Sequence, residues 1–527
     1  MPPSPDIDPV DNLTGWSQPA NPHIARPSTL RGVLRLVRQA ARTRTPLYPI
    51  STGLNYGYGG RTPARPGCTL VDLSAMNRIR NAAEISLDNP VAVIEPGVTQ
   101  QQLYDFLEQH CPELTFNVTG SARATSILGN ALDRGVGYFG PRKEDVFGLE
   151  VVCGNGQLLR TGFRRLGERS PLAHSHPYGL GPILDGLFFQ GNFGIVTSAC
   201  FRLVPKRPCQ IALSLVLKDE RHLAAFIDEL ARLKREGLLE SVTHIANRAR
   251  THATLMYGMT RYLEKECGLA PPAAHAEAER AVHLVAPAQW ASLGAITGTR
   301  AQVNASRAEI ARRMAPLASV RILTDARLDR GYRVAHALRR IPLARSFAAA
   351  IAAIRPLHVL ALGKPTDAAI DNLLWRFGRA ELPATALDET DCGLLFVNPA
   401  LPLNGRFVTR VLARMHATAA RHHLPLYVTI NIETATSLVA VINLLFNRRD
   451  AHATQCAHAC AADLLSDIRA EGLEVYRART DMMAGVVDPA SSYWQTVAGL
   501  KHTLDPLDLI APGRYNLSPP PTACAAA

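Results

Sequence analysis

"PISTGLNYGYGG", residues 49–60, places four glycines and two tyrosines within twelve positions. Glycine loses more freedom on folding than any other residue, so such a cluster marks unusual backbone angles or a close approach of the main chain to a ligand. The apolar "LYPI" runs into it and "TLVDLSAMN" follows at residues 69–77. A Walker A loop needs GxxxxGK[ST]. The chain's only Gly-Lys pair lies in "LALGKPT" and has no glycine at the required position before it. A dinucleotide fingerprint needs GxGxxG between a strand and a helix. Here Gly57, Gly59 and Gly60 lead into a proline-containing loop and then a strand. What remains is strand, loop, strand, with free backbone N–H groups that can wrap a pyrophosphate without a helix dipole.

Working outward, "PSTLRGVLRLVRQAART" puts Leu30, Val33, Leu34 and Val37 on one helical face, with Ser28 or Thr29 as N-cap. "TLVDL" and "VAVIEPG" read as strands, and "VTQQQLYDFLEQH" as a helix capped by Thr99. "SILGNALDRGVGY" reads as a short helix closed by Gly135, and "FGLEVVCGNGQLLRTG" as a hairpin turning at Asn155-Gly156. "FGIVTSACFRLVP" is a buried strand. Residues 1–206 thus form one α+β unit. Residues 207–475 change character, becoming rich in Ala and Arg, with helices such as "ERHLAAFIDELARLKRE" and strands such as "PLYVTINIE" and "VAVINLLFN". They read as a second α+β domain with an antiparallel sheet. Residues 476–516 form a turn-rich closing segment, and 517–527 a disordered tail.

The 527 residues suffice for two or three domains. With 47% apolar and 19% charged residues, the composition is that of an ordinary globular protein. The net charge of +12 allows a nucleic-acid reading, but no stretch interleaves basic and aromatic residues, so a solvated basic surface is the simpler one. "MPPSPDIDPVDNLTGW" has neither a basic nor an apolar leader region, no apolar run reads as a membrane span, and ten cysteines without CxxC fit reduced thiols. The expectation is a cytoplasmic protein with no membrane or nucleic-acid partner. Cys456, His458 and Cys460 lack a second ligand pair at zinc spacing, so no metal site is expected.

"PISTGLNYGYGGRTP", "AVIEPGVTQQQLYDFL", "SILGNALDRGVGY", "LEVVCGNGQLLRTG", "YGLGPILDGLFFQGNFGIVT" and "DPLDLIAPGRY" occur in that order. In these blocks the chain resembles the vanillyl-alcohol oxidase / p-cresol methylhydroxylase family of FAD enzymes. The match covers about residues 20–206 and 470–516, and the middle only loosely. The resemblance implies a two-domain α+β flavoprotein. The N-terminal part and C-terminal segment bind FAD, and an α+β cap with an antiparallel sheet forms the substrate pocket. It places Ser51, Thr52, Gly53, Leu54, Asn55, Gly57 and Tyr58 along the pyrophosphate. Glu95, Pro96, Gly97, Val98, Thr119, Gly120, Ser121, Ser126, Gly129, Asn130, Gly137, Tyr138, Gly194 and Ile195 fall along the rest of the groove, and Arg514 near the flavin.

The family's phenol oxidases hold a phenolate with two tyrosines and an arginine. In this sequence those positions are Tyr58 of "GYGG" and the Tyr476-Arg477 pair of "LEVYRART". A phenol with a pKa near 10 is ionised by hydroxyl donors and a fixed cation. The phenolate then drives hydride loss from the para benzylic carbon to flavin N5, leaving a quinone methide. Hydroxylation, alcohol oxidation or desaturation follows. Three positions depart from the pattern. The covalent-tether slots hold Leu394 and Ala386, with Cys392 two positions off register, so noncovalent FAD is expected. The acid/base slot holds Ser121, a poor base at neutral pH. "TSLVAV" replaces a paired histidine of the cap. Gly120 leaves room at the flavin edge for oxygen, which favours an oxidase over a dehydrogenase with a cytochrome-like acceptor. A homodimer is within the family's range. The alternative is an enzyme of the same fold acting on a non-phenolic alcohol, hydroxy acid or amine.

Overall fold

The computed structural model describes residues 12–18, 23–372 and 382–517. The tail expected at 517–527 lies outside the described residues except for Leu517. Helix Leu30–Thr43 starts at Thr29, whose side chain accepts from the Gly32 N–H, and it buries Val33, Val37 and Ala40. That apolar stripe packs on a small parallel sheet in which Thr69–Asp72 lies between Ile24–Ala25 and Leu47–Ile50. Beside it is a four-stranded antiparallel sheet of Val91–Ile94, Gly194–Arg202, Val146–Cys153 and Leu158–Arg160. The Asn155-Gly156 turn forms as read, with Gly156 at φ 81°.

The short helix Ile127–Leu132 departs in one detail from its expected ending. The left-handed residue past its end is Arg134 (φ 57°), one before Gly135. Gly135 instead lies where any side chain would run into that of Asn130.

The last segment returns to the first unit. The Leu47 N–H donates to Leu509 O and the Ala511 N–H to Leu47 O, both at 2.7 Å. Leu509 and Ile510 share the core of Val33, Val37 and Val71. Sequence-distant ends thus close one layer.

The middle of the chain builds an eight-stranded antiparallel sheet. Its main path runs Ala318–Leu323, Cys209–Leu217, Trp290–Gly298, Thr243–Asn247, Tyr427–Ile432, Ser437–Asn447 and Cys392–Phe396, and Ala400–Pro402 pairs with Ser437–Asn447 off this path. Strand periodicity of two divides its residues. Leu213, Leu215, Ile245, Val428, Ile430, Ile442, Leu444 and Leu395 point to one face. They pack there against helices Leu223–Arg235, Arg300–Met314, Gly405–Arg421 and Ala451–Ala470. The residues between them, including Ser214, His244, Ala246, Thr429, Asn431, Val441, Asn443, Leu394 and Phe396, point to the other face and line a cavity. The first unit supplies the opposite wall.

One sequence expectation needs correction. Among the described residues one helix, Pro342–Ala361, 20 residues long, does reach the length and apolarity of a membrane span. Ala348, Ala349, Ala350 and Ala353 of this helix pack against helices Arg248–Cys267 and Pro271–Val285.

Candidate active site

The cavity between the two units has a volume of about 900 Å³, near the upper end of small-molecule sites. The 51–60 loop forms one end. Gly57 adopts φ 73°, and a methyl group there would lie 2.6 Å from the Phe396 ring, so the main chain is pressed against the second unit. The N–H groups of residues 52–57 find no acceptor among the described residues. Nearby, the buried Thr125 Oγ1 and Asn192 Oδ1 line the cavity and have no partner among the described residues. Unmatched donors and acceptors along a long groove fit a ligand with a pyrophosphate and several ring heteroatoms, which is the chemistry of FAD.

The expected cofactor residues divide into two groups. Ser51, Thr52, Gly53, Leu54, Asn55 and Tyr58 line the cavity, as do Pro96, Thr119, Gly120 and Ser121. So do Ser126, Gly129, Asn130, Gly137, Tyr138, Gly194, Ile195 and Arg514. Gly57, Glu95, Gly97 and Val98 are not among the lining residues. Glu95 is fully buried and turned away, with Arg78 at 2.9 Å and Arg80 at 3.1 Å. Gly97 is pressed under the Ser74 and Met76 carbonyls, and Val98 belongs to the hydrophobic core. These three hold the strand end in place.

The three residues expected to clamp a phenolate come together although 418 positions separate the tyrosines. The Tyr58 and Tyr476 hydroxyls are 3.5 Å apart. The Arg477 guanidinium lies over the Tyr58 ring, 3.8 Å from its centroid, and Phe396 stacks on that ring at 4.7 Å. The Asn398 amide donates to the Tyr58 hydroxyl at 2.7 Å, while its Oδ1 accepts from the Ile442 N–H at 2.8 Å. With a lone pair of the Tyr58 oxygen taken, its own proton is free to point elsewhere. Burial pushes both tyrosines above their ordinary pKa, against the opposing pull of Arg477, so both remain hydroxyl donors at neutral pH.

Arg477 is not the lone fixed charge of the clamp. In the structure it forms an ion pair with Asp133 and bonds the Asn55 side chain. Arg514 reaches the same carboxylate at 3.2 Å and Tyr48 at 2.9 Å. The cluster therefore holds two cations and one anion. Burial lowers the Arg477 pKa, but Asp133 and then the tyrosines outweigh it, so the side chain stays charged. Its Nε is buried and has no partner among the described residues.

Asp133 and Asn398 were not read as site residues. Asp133 lies inside the quoted block "SILGNALDRGVGY", and Asn398 in "FVNP" (396–399), four residues past the tether slot at Leu394. The one signal was an acid and an amide next to positions already assigned. Gln190 was also missed, and its amide donates to Tyr476 O at 3.1 Å.

Ser121 lies at the cavity wall, 3.4 Å from the Gln100 amide. Leu394 sits against Gly57, and Cys392, two residues along, is fully buried and not among the lining residues.

Residues 22–162 match the FAD binding domain family. Over 94% of the chain, the sequence is 31% identical to 1'-carboxy-chondrochloren decarboxylase of Chondromyces crocatus, covering 90% of that protein. The chain belongs to the vanillyl-alcohol oxidase / p-cresol methylhydroxylase family of FAD-dependent oxidoreductases. It is 26% identical to the flavoprotein subunit of 4-cresol dehydrogenase [hydroxylating] of Pseudomonas putida, over 93% of this chain and 87% of that one. The solved structure of 4-ethylphenol oxidase from Gulosibacter chungangensis, in complex with isoeugenol, superposes with a TM-score of 0.77 at 23% identity. That match covers 94% of this chain and 89% of the other. The flavoenzyme thus has the family's FAD-binding fold, with the eight-stranded unit as its cap.

Proposed function

We propose that the flavoenzyme oxidises the benzylic carbon of a para-substituted phenol, or of a larger molecule with a 4-hydroxyphenyl group. The observation that carries this reading is the meeting of Tyr58, Tyr476 and Arg477 at one point of the cavity. Two neutral hydroxyl donors and a retained guanidinium form a receptor for a phenolate oxygen. Asn398 orients the Tyr58 hydroxyl, and Asp133 fixes Arg477 while leaving the cluster with net positive charge. Bound FAD supplies the hydride acceptor. The phenol releases its proton as the clamp binds it, and loss of hydride from the benzylic carbon leaves a quinone methide. Water addition gives a hydroxylated product, and proton loss from the next carbon gives an alkene. The relative from Chondromyces crocatus is named a decarboxylase. A carboxylate on that next carbon offers a third exit: CO2 leaves, and its bonding pair forms the alkene as the ring returns to phenolate.

Ser121 and its partner Gln100 supply no strong base, so the charge of the clamp lowers the pKa of the phenol and its proton passes to water. With Leu394 and Ala386 in the tether slots, FAD is held noncovalently, and acid precipitation releases it into the supernatant. Flavin fluorescence retained on the denatured chain would reverse that assignment.

The test of the phenol reading is anaerobic flavin reduction by 4-alkylphenols and their O-methyl ethers. Phenols bleach the flavin and the ethers do not. Equal rates would hand the site to a non-phenolic alcohol, hydroxy acid or amine.

A further inference from the structure

The cavity also carries polar groups outside the tyrosine cluster. Arg250, in the first turn of helix Arg248–Cys267, lines it. Among the described residues its side chain has no ion pair and no hydrogen bond, and only its main-chain N–H is used, donating to Asn247 Oδ1 at 2.9 Å. Burial lowers its pKa to about 10, so it remains a cation at neutral pH. The first turn of this 20-residue helix holds no acidic residue. The positive end of the helix therefore adds to the guanidinium charge instead of being offset. Arg321, on the edge strand, faces the same cavity.

Arg250 is half-buried, and an arginine drawn partly out of water is normally satisfied by a carboxylate. The only acid among the described lining residues is Asp133, which is already held by Arg477 and Arg514. His244 adjoins Arg250. Its Nδ1 is 2.8 Å from Asn431 Oδ1, and its Nε2 is buried without a partner. Burial, with Arg250 and Lys234 adding to it, holds His244 down near a pKa of about 4, so it is neutral. With Asn431 accepting from Nδ1, the free Nε2 is an acceptor. The anion belongs at Arg250, and a hydroxyl or amide N–H of the same ligand fits His244.

We propose that Arg250 binds a carboxylate on the side chain of the 4-hydroxyphenyl substrate whose phenol sits at Tyr58, Tyr476 and Arg477. This rests on the phenol reading above. Three strand steps separate the strand of Phe396 from that of His244, roughly 14 Å. A substrate that reaches from the tyrosines to the His244 strand carries the polar end of its side chain several atoms beyond the benzylic carbon, which simple 4-alkylphenols do not.

The experiment uses the FAD-loaded enzyme and ω-(4-hydroxyphenyl)alkanoates of increasing chain length, each paired with its methyl ester. Affinity is read by calorimetry and by perturbation of the flavin spectrum without turnover. At the matching length the acid binds about 10–100-fold more tightly than the ester. Arg250→Gln collapses that ratio towards one, and Arg250→Lys restores part of it. Equal affinity of acid and ester at every length, no binding of any acid, or a preference that survives Arg250→Gln overturns the proposal. So does loss of FAD from Arg250→Gln, which would make Arg250 a cofactor residue. The ω-phenylalkanoates, lacking the hydroxyl, separate the two readings. If they keep the acid preference while no phenol reduces the flavin, the carboxylate anchor stands and the phenol reading falls.

Discussion

Two arginines that line the cavity are built differently. Arg477 is locked by Asp133, Asn55 and the Tyr58 ring, so its position is fixed before any substrate arrives. Arg250 has no such partner among the described residues and is held only by its helix. The first arrangement suits a charge that must act on one atom, because preorganised dipoles cost no rearrangement during reaction. The second suits recognition, where a ligand completes the pairing itself. A paired cation loses structure when its partner is removed, and an unpaired one loses ligand selectivity.

The largest expected effect tests the locked end. Asp133→Ala leaves two guanidiniums of a buried cluster without their shared anion. Removing one partner of a buried pair costs about 3–5 kcal/mol, so the variant should lose thermal stability, seen as a clear drop in Tm. An unchanged Tm would mean that the arginines are solvated and the cluster is not the anchor described.

Next is Arg477→Ala. A charge-assisted hydrogen bond is worth about 1.5–3 kcal/mol, so anaerobic flavin reduction by a phenol should slow about 10–100-fold, with FAD retained. Tyr58→Phe and Tyr476→Phe each remove one neutral donor worth about 1 kcal/mol and should cost about 5-fold. If either tyrosine matters more than Arg477, the charge is not the dominant element of the clamp.

Gly57→Ala probes the wall shared by both units. It asks for a left-handed backbone angle and sets a methyl group against Phe396. A cost of about 1–3 kcal/mol should appear as weaker FAD retention after gel filtration.

Gly120→Ala should do least to the fold, because the added methyl meets Ala369 only at 3.5 Å, an ordinary contact. If air reaches the flavin beside Gly120, stopped-flow reoxidation slows more than reduction by substrate. Rapid reoxidation only by an artificial dye, in the parent enzyme, would favour a cytochrome-like acceptor.

The main-chain end of the cavity was the more legible one. A site made from backbone N–H groups must spell out its glycines and turns consecutively, so the 51–60 loop and the Asn155-Gly156 turn could be read in place. Tyr58, Tyr476 and Arg477 were reached only through a resemblance, because nothing local ties residues so far apart in the chain. Glu95 shows the opposite failure. It belongs to a matching block, yet Arg78 and Arg80 hold it away from the cavity, and no spacing rule says which way a strand-end carboxylate turns.

The sequence alone determined the strands and helices, the glycine loop and the flavin family, since each rests on local periodicity, turn chemistry or ordered motifs. Only the tertiary structure decided that Asp133 is shared by two arginines, that Asn398 orients Tyr58, and that Arg250 faces the cavity with no carboxylate beside it among the described residues. The physical reason is that charge pairing depends on distance in space. The partners here are joined by sheet registers and by a C-terminal segment that returns to the first strand, and neither leaves a mark in the linear spacing of the residues.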